Sequence, residues 1–189
     1  MAEVFLIGEI VGASGFPHTE LCCKYSFEIE RDWELREGIP KGQTQVDVPR
    51  DGGMTIWSQP IDLHYSCHNP MDWPKIVFQV FHLDSYGRYD LEGYGFCSVP
   101  STPGMHSIDV VTWRPAGNLR EQMSEFFVGG VPQLKNDKVI HLCTDRNRLR
   151  TQSAGVIHLS LGVVLKDFQK YGVMVSAPTP SAGAFAAAF

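Results

Sequence analysis

The chain has 189 residues, 43% of them apolar, and this length and composition favour one globular domain that needs no disulfide bonds. Its 16 Lys and Arg residues are outnumbered by 21 Asp and Glu residues. This balance excludes the basic excess of most nucleic-acid-binding domains, so we expect no nucleic-acid partner. Apolar runs stay shorter than the roughly 18 residues of a membrane span, and the N-terminus lacks a signal peptide's basic region, so we expect a soluble intracellular protein.

Alternating apolar and polar residues predict an all-β chain. The first of the two clearest segments is 21–29, where apolar side chains share one face and polar ones the other. The second is 75–83, which is apolar on both faces, as is typical of a central strand. The eight predicted strands are, in chain order, residues 3–11, 21–29, 43–48, 61–65, 75–83, 94–99, 105–111 and 157–165. Turns rich in Gly and Pro, such as 114–117, separate them, which favours an antiparallel β-sandwich.

The charged segment 28–37 interrupts this series, and no strand is predicted there. It contains Trp33. A buried tryptophan anchors a core, whereas an exposed one marks an interface. We expect Trp57, Trp73 and Trp113 in the core and Trp33 to be the most exposed of the four.

One α-helix is predicted at residues 118–128. Asn118 is a good N-cap, and Glu121 stands three residues on, as in a capping box. An apolar stripe follows, made of Leu119, Met123, Phe126 and Phe127. The favoured interpretation is a lid over one end of the sandwich, and the alternative is a helix that docks on a partner through Leu119, Met123 and Phe126.

Basic residues cluster in the segment 136–150. Arg146, Arg148 and Arg150 alternate, so on a strand they would share one face and could meet anionic lipid headgroups. The favoured alternative is a solvated edge strand protected by charge, because nearby Asp137 and Asp145 dilute the patch.

Metal and catalytic motifs are weak throughout. The five cysteines are odd in number and mostly lie within apolar strand patterns, which favours reduced thiols. The cluster His64, Cys67 and His68 lacks the paired spacing of a structural zinc site. There is no nucleophile elbow and no phosphate-binding loop. We therefore expect no enzymatic activity and no cofactor.

The segment 80–99, VFHLDSYGRYDLEGYGFCSV, resembles the strand–loop–strand of calcium- and lipid-binding C2 domains. The resemblance places His82 and Asp84 at the first two aspartate positions and Asp90 near the third. The loop after the first strand adds only Glu20. Calcium takes six to eight oxygen ligands, so the site is interpreted as vestigial and no metal is expected.

Longer phrases resemble the B9-domain family, a C2-related group. They are IGEIVGASGF, GQTQVD, WSQPIDLHY, DSYGRY, GYGFCSVPSTPG, TWRP, FVGG and IHLSLGVVLKDFQKYGV. Their extent predicts a B9 domain over residues 1–172 and a low-complexity, poorly ordered tail at 173–189.

The resemblance implies a non-catalytic subunit of the Meckel-syndrome, or tectonic-like, complex at the ciliary transition zone and basal body, associated with the cytoskeleton. Implied partners are other B9-domain proteins and the membrane subunits of that complex, with roles in cilium assembly and in gating membrane proteins. Further candidate contacts are Pro100, Ser101 and Thr102. The alternative is a peripheral module that binds anionic lipids, with or without calcium.

Overall fold

Nine antiparallel strands form one continuous sheet in this computed structural model, which describes residues 1–49, 53–117, 133–134, 138–141 and 149–171. The strands are β1 Ala2–Ser14, β2 Leu21–Glu28, β3 Trp33–Gly38, β4 Lys41–Gln43, β5 Thr55–Cys67, β6 Lys75–Leu83, β7 Tyr89–Ser98, β8 Gly104–Pro115 and β9 Thr151–Lys166. Their order in the sheet is β3-β5-β1-β9-β8-β7-β6-β2-β4. A one-turn helix at Lys138–His141 and a 3-10 turn at Phe168–Tyr171 complete the described elements.

The sheet curls into two leaves that pack face to face. Leaf A contains β3, β5, β1, β9 and β8, and leaf B contains β7, β6, β2 and β4. The two leaves meet at β7 and β8, where the described ladder is the single pair Tyr94–Trp113. Inward side chains of both leaves, such as Leu6 and Phe78, form one buried cluster. The predicted all-β antiparallel class is confirmed.

Leaf B also buries its outer face, and this explains why 75–83 is apolar on both sides. Val77 and Phe81 of β6 point away from the first cluster and join a second one. Ile140, from the one-turn helix between β8 and β9, is fully buried in this second cluster. The amide of Leu134 donates a 3.1 Å hydrogen bond to the hydroxyl of Tyr94. Leu134 and Ile140, two described residues between β8 and β9, therefore pack on leaf B from outside.

The expectation that Trp33 is the most exposed of the four tryptophans was wrong, since Trp73 and Trp113 are only half-buried. It begins β3, an edge strand that was not predicted, and only 4% of its surface is exposed. Its indole Nε1 donates a 3.0 Å hydrogen bond to the carbonyl of Met71. Its ring lies 5.4 Å from that of Trp73, which in turn stacks on Phe168. The charges of β3 masked the strand, because an edge strand tolerates them.

Three smaller predictions also need correction. The chain has nine described strands rather than eight. The predicted strand at 43–48 is mostly irregular, since β4 ends at Gln43 and Asp47 forms only an isolated bridge with Leu21. The predicted turn at 114–117 begins later, because β8 continues to Pro115. The predicted helix at 118–128 and the tail at 173–189 lie outside the described residues.

Candidate functional site

The two loops that the sequence assigned to a vestigial calcium site lie side by side. His82, near the end of β6, stands opposite Asp90 of β7, and Asp84 is the first residue after β6. The connection between β1 and β2 approaches this hairpin, and the amide of Leu83 donates a 2.9 Å hydrogen bond to the carbonyl of Glu20. The two loops are therefore in direct contact, and the chemistry of this end of the sheet depends on what the carboxylates bind.

Asp84 uses its carboxylate to hold its own hairpin together. Oδ1 accepts hydrogen bonds from the amides of Tyr86 and Arg88, at 2.9 and 2.8 Å. Oδ2 accepts from the Arg88 guanidinium, with both Nε and Nη2 at 2.8 Å. The backbone hydrogen bond from Arg88, followed by the Arg88 side chain, holds the pKa of Asp84 below its usual value. A cation would have to displace these four donors.

A short hydrogen bond between a histidine and a buried glutamate lies next to this hairpin. Nδ1 of His18, in the loop between β1 and β2, is 2.6 Å from Oε1 of Glu92 in β7. The side chain of Glu92 is 4% exposed and that of His18 is 51% exposed. The two side chains are therefore direct hydrogen-bond partners. Oε2 of Glu92 is buried and has no hydrogen-bond partner among the described residues.

The imidazole of His18 also stacks on that of His82. The ring centroids are 4.2 Å apart and the planes differ by 17°. Ring nitrogens bind metals in the plane of the ring, so two stacked imidazoles cannot both point at one ion. Within the described part of the chain, no three His, Cys, Asp or Glu side chains are arranged to hold a metal. Here His82, at a C2 aspartate position, packs against an imidazole instead of ligating an ion.

The contact between His18 and Glu92 was not predicted from the sequence. They are 74 positions apart, so their contact follows from the sheet and not from local pattern. One signal was available: Glu92 stands inside the apolar strand 89–98, where a carboxylate needs a partner. His18 lies in the loop between β1 and β2, which was expected to approach this hairpin.

The remaining contact candidates are dispersed. Ser101 and Thr102 are exposed in the turn between β7 and β8, and Pro100 is half-buried there. Arg150 is exposed just before β9, and its carbonyl accepts a 2.8 Å hydrogen bond from the amide of Ala116. The other candidates lie outside the described residues: Leu119, Met123, Phe126, Arg146 and Arg148. The described candidates therefore belong to two connections: Arg150 lies between β8 and β9, and residues 100–102 lie between β7 and β8.

Comparison with known proteins gave consistent matches. A family model described as "Ciliary basal body-associated, B9 protein" matches residues 4–164. B9 domain-containing protein 2 of Homo sapiens is 49% identical over 173 residues, which are 92% of this chain and 99% of that protein. Its Drosophila melanogaster counterpart is 34% identical over 174 residues, covering 92% and 98% of the two chains. B9 domain-containing protein 1 of Xenopus laevis is 33% identical over 176 residues, covering 90% and 89%.

Among solved structures, the C2A domain of plant extended synaptotagmin 1 matches with a TM-score of 0.43 and 12% identity, over 87% of this chain and 94% of that one. None of the helices among the described residues has the length and apolarity that crossing a membrane requires.

Proposed function

This chain belongs to the B9 family of ciliary basal body-associated proteins, and from that premise we propose that it is a non-catalytic interaction subunit at the base of the cilium. Its place is the transition zone and basal body, within the Meckel-syndrome, or tectonic-like, complex. Its partners there are other B9-domain proteins and the membrane subunits of that complex. In this role it supports cilium assembly and the gating of ciliary membrane proteins.

The state of Asp84 is the observation that carries the proposal. In a calcium-dependent C2 module, the hairpin carboxylates ligate the ion. Here the Asp84 carboxylate is occupied by two amides and the Arg88 guanidinium. The hairpin is thus held in shape by the chain's own groups, which suits a permanently formed protein-binding surface rather than one assembled by calcium.

The chemistry around the hairpin also supports a non-catalytic role. Glu92 and His18 pair with each other, and the two imidazoles stack. A general acid or base must face the space where a substrate reacts. The carboxylate of Glu92 is instead almost wholly buried under His18. The relatives are likewise named for their B9 domain and not for an enzymatic activity.

Complementation in ciliated cells tests the proposal. Human cells depleted of B9 domain-containing protein 2 would express the full chain with a fluorescent tag. We expect the tagged protein to concentrate at the base of the cilium and to restore the number of ciliated cells. A Trp33→Ala variant, whose core is disrupted, is the matched control and should do neither. Diffuse fluorescence of the stable wild-type chain, with no recovery of cilia, would contradict the proposal.

A further inference from the structure

The outer face of leaf A carries an exposed apolar patch that none of the described residues covers, in contrast to the outer face of leaf B. Leaf B is covered by Ile140 of the same chain. On leaf A, Ile7, Met105 and Val164 are 56%, 73% and 54% exposed. Contiguous exposed apolar surface commonly marks an interaction site. We call this region the leaf A face and define it by Phe5, Ile7, Met105, Gly162 and Val164.

The residues of the leaf A face are direct neighbours across three strands. Ile7 of β1 pairs with Gly162 of β9, which pairs with Met105 of β8. One row along, Phe5 pairs with Val164. From β1 to β8 the patch spans two strand spacings, or about 10 Å. Gly162 lies at the centre of the leaf A face and adds no side chain there. A Cβ at this position would lie only 2.8 Å from the sulfur of Met105.

Acidic side chains border the leaf A face. Asp62 of β5 stands opposite Ile7, and Glu9 lies two residues beyond Ile7 on β1. Neither makes an ion pair with any described residue. The one lysine beside the patch, Lys166, is engaged by Glu3 at 2.9 Å. The free charge at this border is therefore negative.

An open groove of about 790 Å³ continues from one side of the leaf A face. Phe5 and Asp62 line it, together with His64 and with Glu37 at the end of β3. The ring of Phe5 stacks on that of His64, with 4.1 Å between the ring centroids. This stacked pair lies where the leaf A face meets the groove. Lys41 also lines the groove, but its ammonium lies 3.6 Å from the carboxylate of Glu28. The two carboxylates of the lining therefore suit a long cationic side chain such as Arg or Lys.

The acidic border of the leaf A face favours a different protein over a second copy of this chain as its partner. Two copies of this chain meeting through the same face would bring their acidic borders together, which is unfavourable. A surface with an apolar centre and a border of Lys and Arg is complementary. We infer that the leaf A face is the docking site for a different B9-domain protein, whose apolar surface covers Ile7 and Met105 while a basic side chain enters the groove. The inference rests on the proposed function, which supplies the partner class.

Binding measurements with purified B9 domain-containing protein 1 of Xenopus laevis test the inference. Ile7→Glu and Met105→Glu place a charge at the centre of the face, and each should weaken binding by about tenfold or more. Asp62→Lys should also weaken it, and higher salt should weaken wild-type binding. Met71→Glu is the matched control, because Met71 is 66% exposed in the connection between β5 and β6, which contributes no residue to the face.

The outcomes separate the inference from the proposed function. Circular dichroism checks the fold of each variant, and hydrogen exchange of the wild-type chain gives a second reading: the partner should slow exchange on β8. Wild-type binding that Ile7→Glu and Met105→Glu leave intact, with no protection of β8, would overturn the inference and leave the proposed function standing. No wild-type binding would overturn both. Self-association abolished by Ile7→Glu would show that the occupant is a second copy, which also overturns it.

Discussion

Nδ1 of His18 lies 2.6 Å from the buried Oε1 of Glu92, and this contact fastens the loop between β1 and β2 to β7. The resemblance to C2 domains had led us to expect part of a calcium site in this loop. In this chain an imidazole reaches the interior carboxylate, and the neighbouring Asp84 is bound by Arg88. The loop end is thus stabilised by internal pairs, and several measurable consequences result.

Removing His18 should destabilise the chain by more than its exposure suggests. His18→Ala leaves the Glu92 carboxylate buried without its hydrogen-bond donor, so we expect the free energy of unfolding to fall by about 1–3 kcal/mol. Urea denaturation followed by tryptophan fluorescence measures it. In a double-mutant cycle with Glu92→Gln, the double variant should lose less than the sum of the single variants. Strict additivity would show that the two side chains are not coupled.

The Asp84 hairpin should make stability depend on acid pH. Hydrogen bonds from Arg88 hold the folded-state pKa of Asp84 below its usual value of 3.8. A depressed pKa stabilises the folded chain above the unfolded-state value, and that contribution disappears as the pH falls through the folded-state value. The difference in melting temperature between wild type and Asp84→Asn should therefore be largest near neutral pH and shrink in acid. Asp32→Asn, at an exposed aspartate in the turn before β3, is the control, and a constant Asp84 difference would refute this explanation.

Trp33 should behave as a core residue although it lies in a charged segment. Trp33→Ala empties a buried position beside Trp73 and should cost about 3–5 kcal/mol in the free energy of unfolding. Trp33→Phe keeps most of the apolar volume but loses the hydrogen bond to Met71, so about 1 kcal/mol is expected. Chemical denaturation measures both. Equal, small losses in the two variants would mean that the indole does not support the packing of β3.

The described cysteines should be unreactive in the folded chain. Cys22, Cys23 and Cys67 are buried, and burial raises the pKa of Cys97 to about 12. Because the thiolate is the reactive form, iodoacetamide should label these four slowly in native protein and rapidly in urea. Mass spectrometry of the corresponding peptides gives the rates. Native labelling of Cys97 as fast as in urea would contradict the assigned burial.

Strands with a clear pattern of apolar residues were predicted from the sequence, whereas a charged edge strand was not. Residues 75–83 match β6, because a run that is apolar on both faces has no other arrangement in a sheet protein. β3 was missed, because Trp33 and the half-buried Leu35 are its apolar residues and its other side chains face water at the sheet edge. His82, Asp84 and Asp90 lie on one hairpin, within the segment 80–99 that resembles C2 domains. The binding of Asp84 by Arg88 and the stacking of His82 on the imidazole of His18 were not predicted.

Contacts between residues that are far apart in the sequence could not be predicted either, because they depend on the order of the strands in the sheet. The pairing of His18 with Glu92 depends on which loop lies over β7. Ile7 of β1 and Met105 of β8 come close together because both strands pair with β9, where Gly162 lies between them. Alternation places each side chain on a face, but strand order decides which faces join. The leaf A face therefore emerged only once the sheet order was known.

Sedimentation velocity of the full chain mixed with B9 domain-containing protein 1 of Xenopus laevis tests the central claim most directly. Parallel samples would contain either a calcium chelator or added calcium. We predict one heavier complex with the same sedimentation coefficient and the same affinity in both conditions, because the loop end is already formed by the chain's own side chains. Association that occurs only with calcium, or two species that sediment independently in both conditions, would contradict the account.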